Sequence, residues 1–89
     1  MRAVITVIGR DTVGIIAKTS AILSKNNVNI LDITQSVLGD IFAMVMFADI
    51  TDSTVPFGDL QTELENLGRE IGVQIMAVHE DIFNAMHTV

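Results

Sequence analysis

Residues 7–23, VIGRDTVGIIAKTSAIL, change their apolar period partway along, and that change decides the fold. The approach to them, Ala3 to Ile8 (AVITVI), is short and β-branched and reads as a strand that Gly9 ends. From Ile15 the apolar positions recur at helical spacing: Ile15 and Ile16, the methyl of Thr19, then Ile22 and Leu23, with Lys18 and Lys25 on the other side. Asp11 stands where a side chain can cap the helix, and Asn26-Asn27 supplies its stop. Gly9 is expected to let the chain leave the strand at an unusual φ, and Gly14 to fall in the first helical turn. A glycine inside a helix costs about 1 kcal/mol against alanine, so close approach of a ligand or of another backbone is needed to offset it.

Working outward, Val28 to Leu38 (VNILDITQSVL) reads as a second strand, Gly39-Asp40 as a hairpin turn, and Ile41 to Ile50 (IFAMVMFADI) as a third strand. Ser53 and Thr54 are candidate caps, and Pro56 is tolerated in a first helical turn. Phe57, Leu60, Leu64, Leu67 and Ile71 then step by three and four along one helix face, and Gly72 stops that helix. Val73 to Val78 (VQIMAV) is the fourth strand, and Asp81 is placed to cap a terminal helical turn carrying Ile82, Phe83 and Met86. The order β-α-β-β-α-β with right-handed crossovers puts both helices on one face of a four-stranded antiparallel sheet. The expected class is α+β, a ferredoxin-like sandwich. It forms a single domain over residues 1–89, with 80–89 as a C-terminal tail.

Bulk properties narrow the function. The chain has 89 residues, a formal net charge of -6, no Cys, Trp or Tyr, and four Phe. The acidic balance argues against nucleic acid and against an anionic membrane surface as partners. Lack of cysteine excludes disulfides, thiolate metal sites and cysteine nucleophiles. No apolar run reaches the ~18 residues of a membrane span, and no long apolar leader is visible, so a cytoplasmic protein is expected.

The third strand is apolar on both sides, with Ile41, Ala43, Val45 and Phe47 pointing one way and Phe42, Met44, Met46 and Ala48 the other. A two-layer sandwich leaves one sheet face bare, and an apolar bare face calls for a cover. Either the tail with Phe83 and Met86 supplies it or a second subunit does. The expectation is a two-fold homodimer with Phe42, Met44, Met46, Phe83 and Met86 at its interface.

Three places could hold chemistry. The hinge Gly9-Arg10-Asp11-Thr12-Val13-Gly14 opens a helix whose free N–H groups and positive dipole end suit a carboxylate, while plain tight packing explains its glycines equally well. It is not a phosphate loop: Gly9 and Gly14 have that spacing, but Ile15-Ile16 stand where Lys-Ser/Thr is needed. G-x-G-x-x-G is absent, and no cofactor is expected. Asn29 carries an amide that both donates and accepts, suited to an amino acid's two charged groups, although Asn more often caps a loop end. Asp32 and Gln35 fit solvent-facing strand positions. His79 with Glu80 and Asp81, and His87 beyond them, do not make the converging set a metal needs. No Ser/His/Asp spacing is recognisable, and an enzyme is not expected.

The hinge GRDTVGII and the strand start NVNILDI together resemble the ACT domain, a small regulatory module that senses amino acids and related metabolites. Its pattern, close to G-x-D-x-x-G-[IL] followed by N-[IV], falls here on Gly9, Asp11, Gly14, Ile15, Asn29 and Ile30. The resemblance spans nearly the whole chain and is to the stand-alone type, similar also to one half of the tandem-ACT regulators of the glycine cleavage system. It implies pairing of domains and a ligand, an amino acid or related metabolite, at or near the interface. Residues Gly9, Asp11, Thr12, Gly14, Ile15, Asn29 and Ile30 would surround it. The position before Gly14 is often Pro in the family and is Val13 here, which changes the loop's rigidity. With no effector domain recognisable in the chain, the signal would pass to an unidentified regulated protein. The competing expectation is a protein–protein module with no ligand.

Overall fold

The computed structural model describes residues 1–10 and 13–86. Elements follow in the order β1 (Arg2–Arg10), α1 (Ile15–Lys25), β2 (Asn29–Leu38), β3 (Ile41–Asp49), α2 (Phe57–Ile71), β4 (Val73–His79) and α3 (Glu80–Met86). The four strands form one antiparallel sheet in the order β2-β3-β1-β4. The ferredoxin-like reading holds: β1 and β3 lie in the middle, and α1 and α2 pack on one face. Gly39, at φ 63°, turns β2 into β3, and Leu31 is the extra residue where the β2–β3 register shifts between Ile30 and Asp32.

Alternation along each strand sorts the core. Ala3, Ile5 and Val7 of β1, Phe42, Met44, Met46 and Ala48 of β3, and Val73, Ile75 and Ala77 of β4 face the helices. Ile15 and Leu23 of α1 and Leu60, Leu64 and Leu67 of α2 close over them. Full burial of side chains such as Ile5, Leu60 and Leu64 contributes about 1.5–3 kcal/mol each. One polar group joins this layer as a tie. Buried Asn26, at the C-terminal end of α1, donates its amide to Ile22 O at 3.0 Å and to Glu63 Oε2 of α2 at 2.7 Å.

Several local expectations are corrected. Phe42, Met44 and Met46, expected at a subunit interface, are only 5%, 1% and 0% exposed and lie against the chain's own helices. Both β3 faces are apolar, so alternation could separate the two sets but not say which one the helices cover. Gly9 stays inside β1 with an ordinary φ. Its lack of a side chain serves packing, since a Cβ there would stand 2.7 Å from Val73 Cγ1 and 3.0 Å from Val73 Cα. Gly14 is the N-cap of α1 at φ 88°, a left-handed conformation, and not a residue of its first turn. The helix-interior penalty therefore does not apply to it. Pro56, rather than Ser53 or Thr54, precedes α2, and the Ser53 hydroxyl instead donates to Val55 O at 2.8 Å. Asp81 lies within the first turn of α3, which begins at Glu80.

The second sheet face carries Val4, Thr6 and Ile8 of β1, Ala43, Val45 and Phe47 of β3, and Met76 and Val78 of β4. α3 crosses part of it. Phe83 meets Phe47 edge-on at 6.3 Å between ring centres, and Val4 is fully buried. Ile8 and Met76 remain about half exposed, so the tail supplies a partial cover.

Candidate functional site

The strand register determines where the two halves of the hinge-and-asparagine pattern sit. Asn29 pairs with Asp49, and Asp49 with Arg2, which puts Asn29 at the starting end of β1. Gly9 pairs with Phe42 at the finishing end. Seven strand steps separate those ends, roughly 23 Å. Within one chain, then, Gly9, Gly14 and Ile15 are at one end of the sheet and Asn29 and Ile30 at the other, with α1 running between them. Asp11 and Thr12, also expected at the ligand, lie outside the described residues.

At the hinge end, Gly14 has no side chain with which to cap α1, and the first turn of α1 carries no acidic residue. A helix start of this kind presents backbone N–H groups and the positive dipole end, a suitable seat for a carboxylate. Lys18 N donates to Gly14 O at 2.8 Å and closes the first turn. Ile15 is buried and anchors this turn to the core, while Val13 is fully open to solvent. Arg10 approaches Asp40 of the β2–β3 turn at 3.9 Å, an exposed pair of little energetic weight.

At the other end, Ser20, Ser24, Asn27, Val28, Asn29, Ile30 and Asp52 line a cleft of about 470 Å³ between α1, the start of β2 and the loop after β3. Asn27 donates to Asp52 O at 3.1 Å and holds that loop against the end of α1. Asn29 is exposed, whereas Ile30 is half-buried against the core. Hydroxyls, primary amides and one carboxylate can hold an ammonium group and read its neighbouring polar atoms. Ser20, Ser24 and Asp52 were missed by sequence reasoning; the helical period of α1 puts both serines one turn apart, but nothing local places the Asp52 loop beside them.

Asp49 adds a second carboxylate near Asn29. The Thr51 hydroxyl donates to its Oδ1 at 2.6 Å and the Thr51 backbone N–H at 2.9 Å, and together they hold the Asp49 carboxyl below the usual carboxylate range. The N-terminal ammonium also lies 3.7 Å away and donates to the Thr51 hydroxyl at 2.6 Å. Because the folded-state value is depressed, this turn's contribution is present above the ordinary carboxylate range and is lost on acidification through the folded-state value. Thr51→Val removes the hydroxyl donor, so Asp49 is expected to titrate at higher pH than in the parent protein, as followed by carboxyl NMR; an unchanged titration would contradict the assignment.

His79 packs tilted against Phe57 with ring centres 4.4 Å apart. Its neighbour Glu80 is engaged by Arg2, with Nε to Oε2 at 2.6 Å. Among the described residues, no three His, Cys, Asp or Glu side chains converge to hold a metal ion; His87 lies outside them. No helix among them is long and apolar enough to cross a membrane.

The family model of the ACT domain matches residues 2–78. A UPF0237 protein of Methanocaldococcus jannaschii is 49% identical over 88 residues, covering 99% of this chain and 98% of its own length. Among solved structures, an ACT domain protein from Streptococcus pneumoniae is 37% identical, covers 98% of each chain and superposes with a TM-score of 0.81. A proposed glycine cleavage system transcriptional repressor shares the fold at 23% identity and a TM-score of 0.72, with 86% of this chain matching 44% of that one.

Proposed function

This chain belongs to the ACT domain family, and from that membership we propose that it is a regulatory module that binds an amino acid or a related small zwitterion between two copies of itself. The family is one of regulatory domains rather than of catalysts. The observation that carries the reading is the separation of the two half-sites, combined with the state of β2. β2 is an edge strand of ten residues that begins at Asn29, and Leu31, Ile33, Val37 and Leu38 along it are all exposed. A long apolar edge is a template for pairing with another strand. A two-fold axis through its middle would run the partner's β2 antiparallel to it. The hinge end of one copy then meets the Asn29 end of the other. N–H groups at Gly14 would take the ligand's carboxylate, and Asn29 of the partner subunit, with the cleft beside it, would take the ammonium. Ligand-dependent pairing of this kind changes the balance between two states only so far as it favours one of them, and the change would be read by a regulated protein.

Calorimetric titration with the twenty amino acids tests binding, and subunit mixing tests the composite site. Gly14→Val and Asn29→Ala are each expected to abolish binding in the homodimer. Mixed in equal amounts, the two variants should recover about a quarter of the sites, because half the dimers are mixed and one of the two sites in each is intact. Recovery of none, with each variant folded, would mean that the site lies within one chain. The exposed β2 edge also suits a pairing module that takes no ligand; in that case all twenty titrations are silent and Asn29→Ala changes nothing.

A further inference from the structure

On the sheet face away from α1 and α2, the partial cover of α3 leaves a cavity of about 290 Å³, lined by Thr6, Ile8, Val45, Met76, Val78, Phe83 and Met86. We propose that this cavity is a second binding site, separate from the hinge and from Asn29, and that it takes a small uncharged apolar molecule.

Its walls determine the chemistry. Six of the seven lining side chains are apolar, and the Thr6 hydroxyl is the one polar exception. No ionisable side chain contributes to it, so an amino acid or any other zwitterion would lose its hydration there without compensation. A neutral ring system loses little on entry and removes Ile8 and Met76 from water, both of which are about half exposed. Two clefts elsewhere differ in kind: the one beside Asn29 has serines, asparagines and Asp52 among its walls, and the one beside Arg2 has His79, Glu80 and Asp81.

Size limits the occupant. An enclosed apolar cavity of roughly 150 Å³ takes benzene, so one about twice that volume suits roughly ten non-hydrogen atoms, a fused pair of rings or a branched aliphatic chain. One wall is built to remain in place. Val45 and Thr6 are register partners on the two central strands, where strand pairing on both sides fixes them. The opposite wall is the seven-residue α3, whose Phe83 rests edge-on against Phe47. Met86, 60% exposed at the end of α3, is an unbranched side chain able to fold over a guest. Occupancy would therefore pin α3 to the sheet, joining ligand binding to order in the C-terminal segment.

The probe is indole, neutral and fused-ringed, titrated into the full chain with its Ile, Val and Met methyl groups labelled for NMR. Saturable shifts are expected at Ile8, Val45, Met76, Val78 and Met86, with Ile33 and Val37 on β2 unmoved. Ile8→Trp, at the exposed rim, should weaken indole binding at least tenfold without disturbing the core, and Val45→Phe should do the same from the floor. Asn29→Ala should leave indole binding unchanged, so the result is independent of the amino-acid site. Non-saturable or scattered shifts would overturn the proposal. So would shifts at the same methyls that follow protein dilution and ignore indole, since that would make this face a contact between copies of the chain.

Discussion

Met46→Asp is expected to unfold the protomer rather than to split a pair of intact subunits. Met46 is fully buried, pairs across the sheet with Ile5 and faces α1 and α2. Removing its side chain alone costs about 2–5 kcal/mol through lost burial and the cavity left behind. The carboxylate adds a desolvation cost that no cation offsets among the core residues around it. An 89-residue domain has a total stability of about 5–13 kcal/mol, so the combined loss takes most or all of it. Circular dichroism at neutral pH should show loss of the folded signal, and gel filtration an expanded chain. Ile33→Asp is the counterpart on the exposed edge of β2, where Ile33 is 39% exposed. It should change stability by no more than about 0.5 kcal/mol and disrupt pairing instead. A folded, monomeric Met46→Asp would mean that β3 presents its other side to the helices.

Gly68→Ala is expected to lower Tm by about 4–24 °C, against the direction that helix propensity alone indicates. In an exposed helix the exchange gains up to about 1 kcal/mol. At Gly68 the added Cβ would stand 2.6 Å from Val73 O and 3.3 Å from Ile75 N, both backbone atoms of β4. Backbone does not rotate aside as a side chain does, so α2 has to move off the sheet along the contact that Leu64 and Leu67 make. Overpacking of this kind costs about 1–3 kcal/mol and sometimes more. For a domain of this size each kcal/mol shifts Tm by about 4–8 °C. Gly58, in the first turn of the same helix, has nothing within 4 Å of a Cβ. Gly58→Ala should therefore be neutral or stabilising by up to about 1 kcal/mol, and calorimetry on the pair separates propensity from packing. Equal effects at the two positions would refute the close approach.

The element order was legible because it depends on local periodicity. The short β-branched run of Ala3 to Ile8, the three-and-four stepping from Phe57 to Ile71, and the stops at Asn26 and Gly72 all record local preferences that act over a few residues. Gly9 and Gly68 were not legible in the same way. Each is explained by Val73, which lies 64 residues from the first, and 5 residues from the second across the turn into β4. Nor did Asn26 announce its bond to Glu63 on the other helix: as a helix stop it was identified, as a tie between α1 and α2 it was not.

The hinge is where the division is sharpest. Sequence by itself determined that a helix follows the hinge, that Asn29 lies at the start of a strand, and that Gly14 and Asn29 belong to one recognisable pattern. It did so because capping, turn and strand preferences act over a few residues. Only the tertiary structure decided that the two residues stand at opposite ends of one sheet, that Phe42, Met44 and Met46 belong to the core, and that α3 covers part of the other face. Those outcomes come from strand register and from which sheet face the crossovers bury, and both are set by contacts between segments distant along the chain.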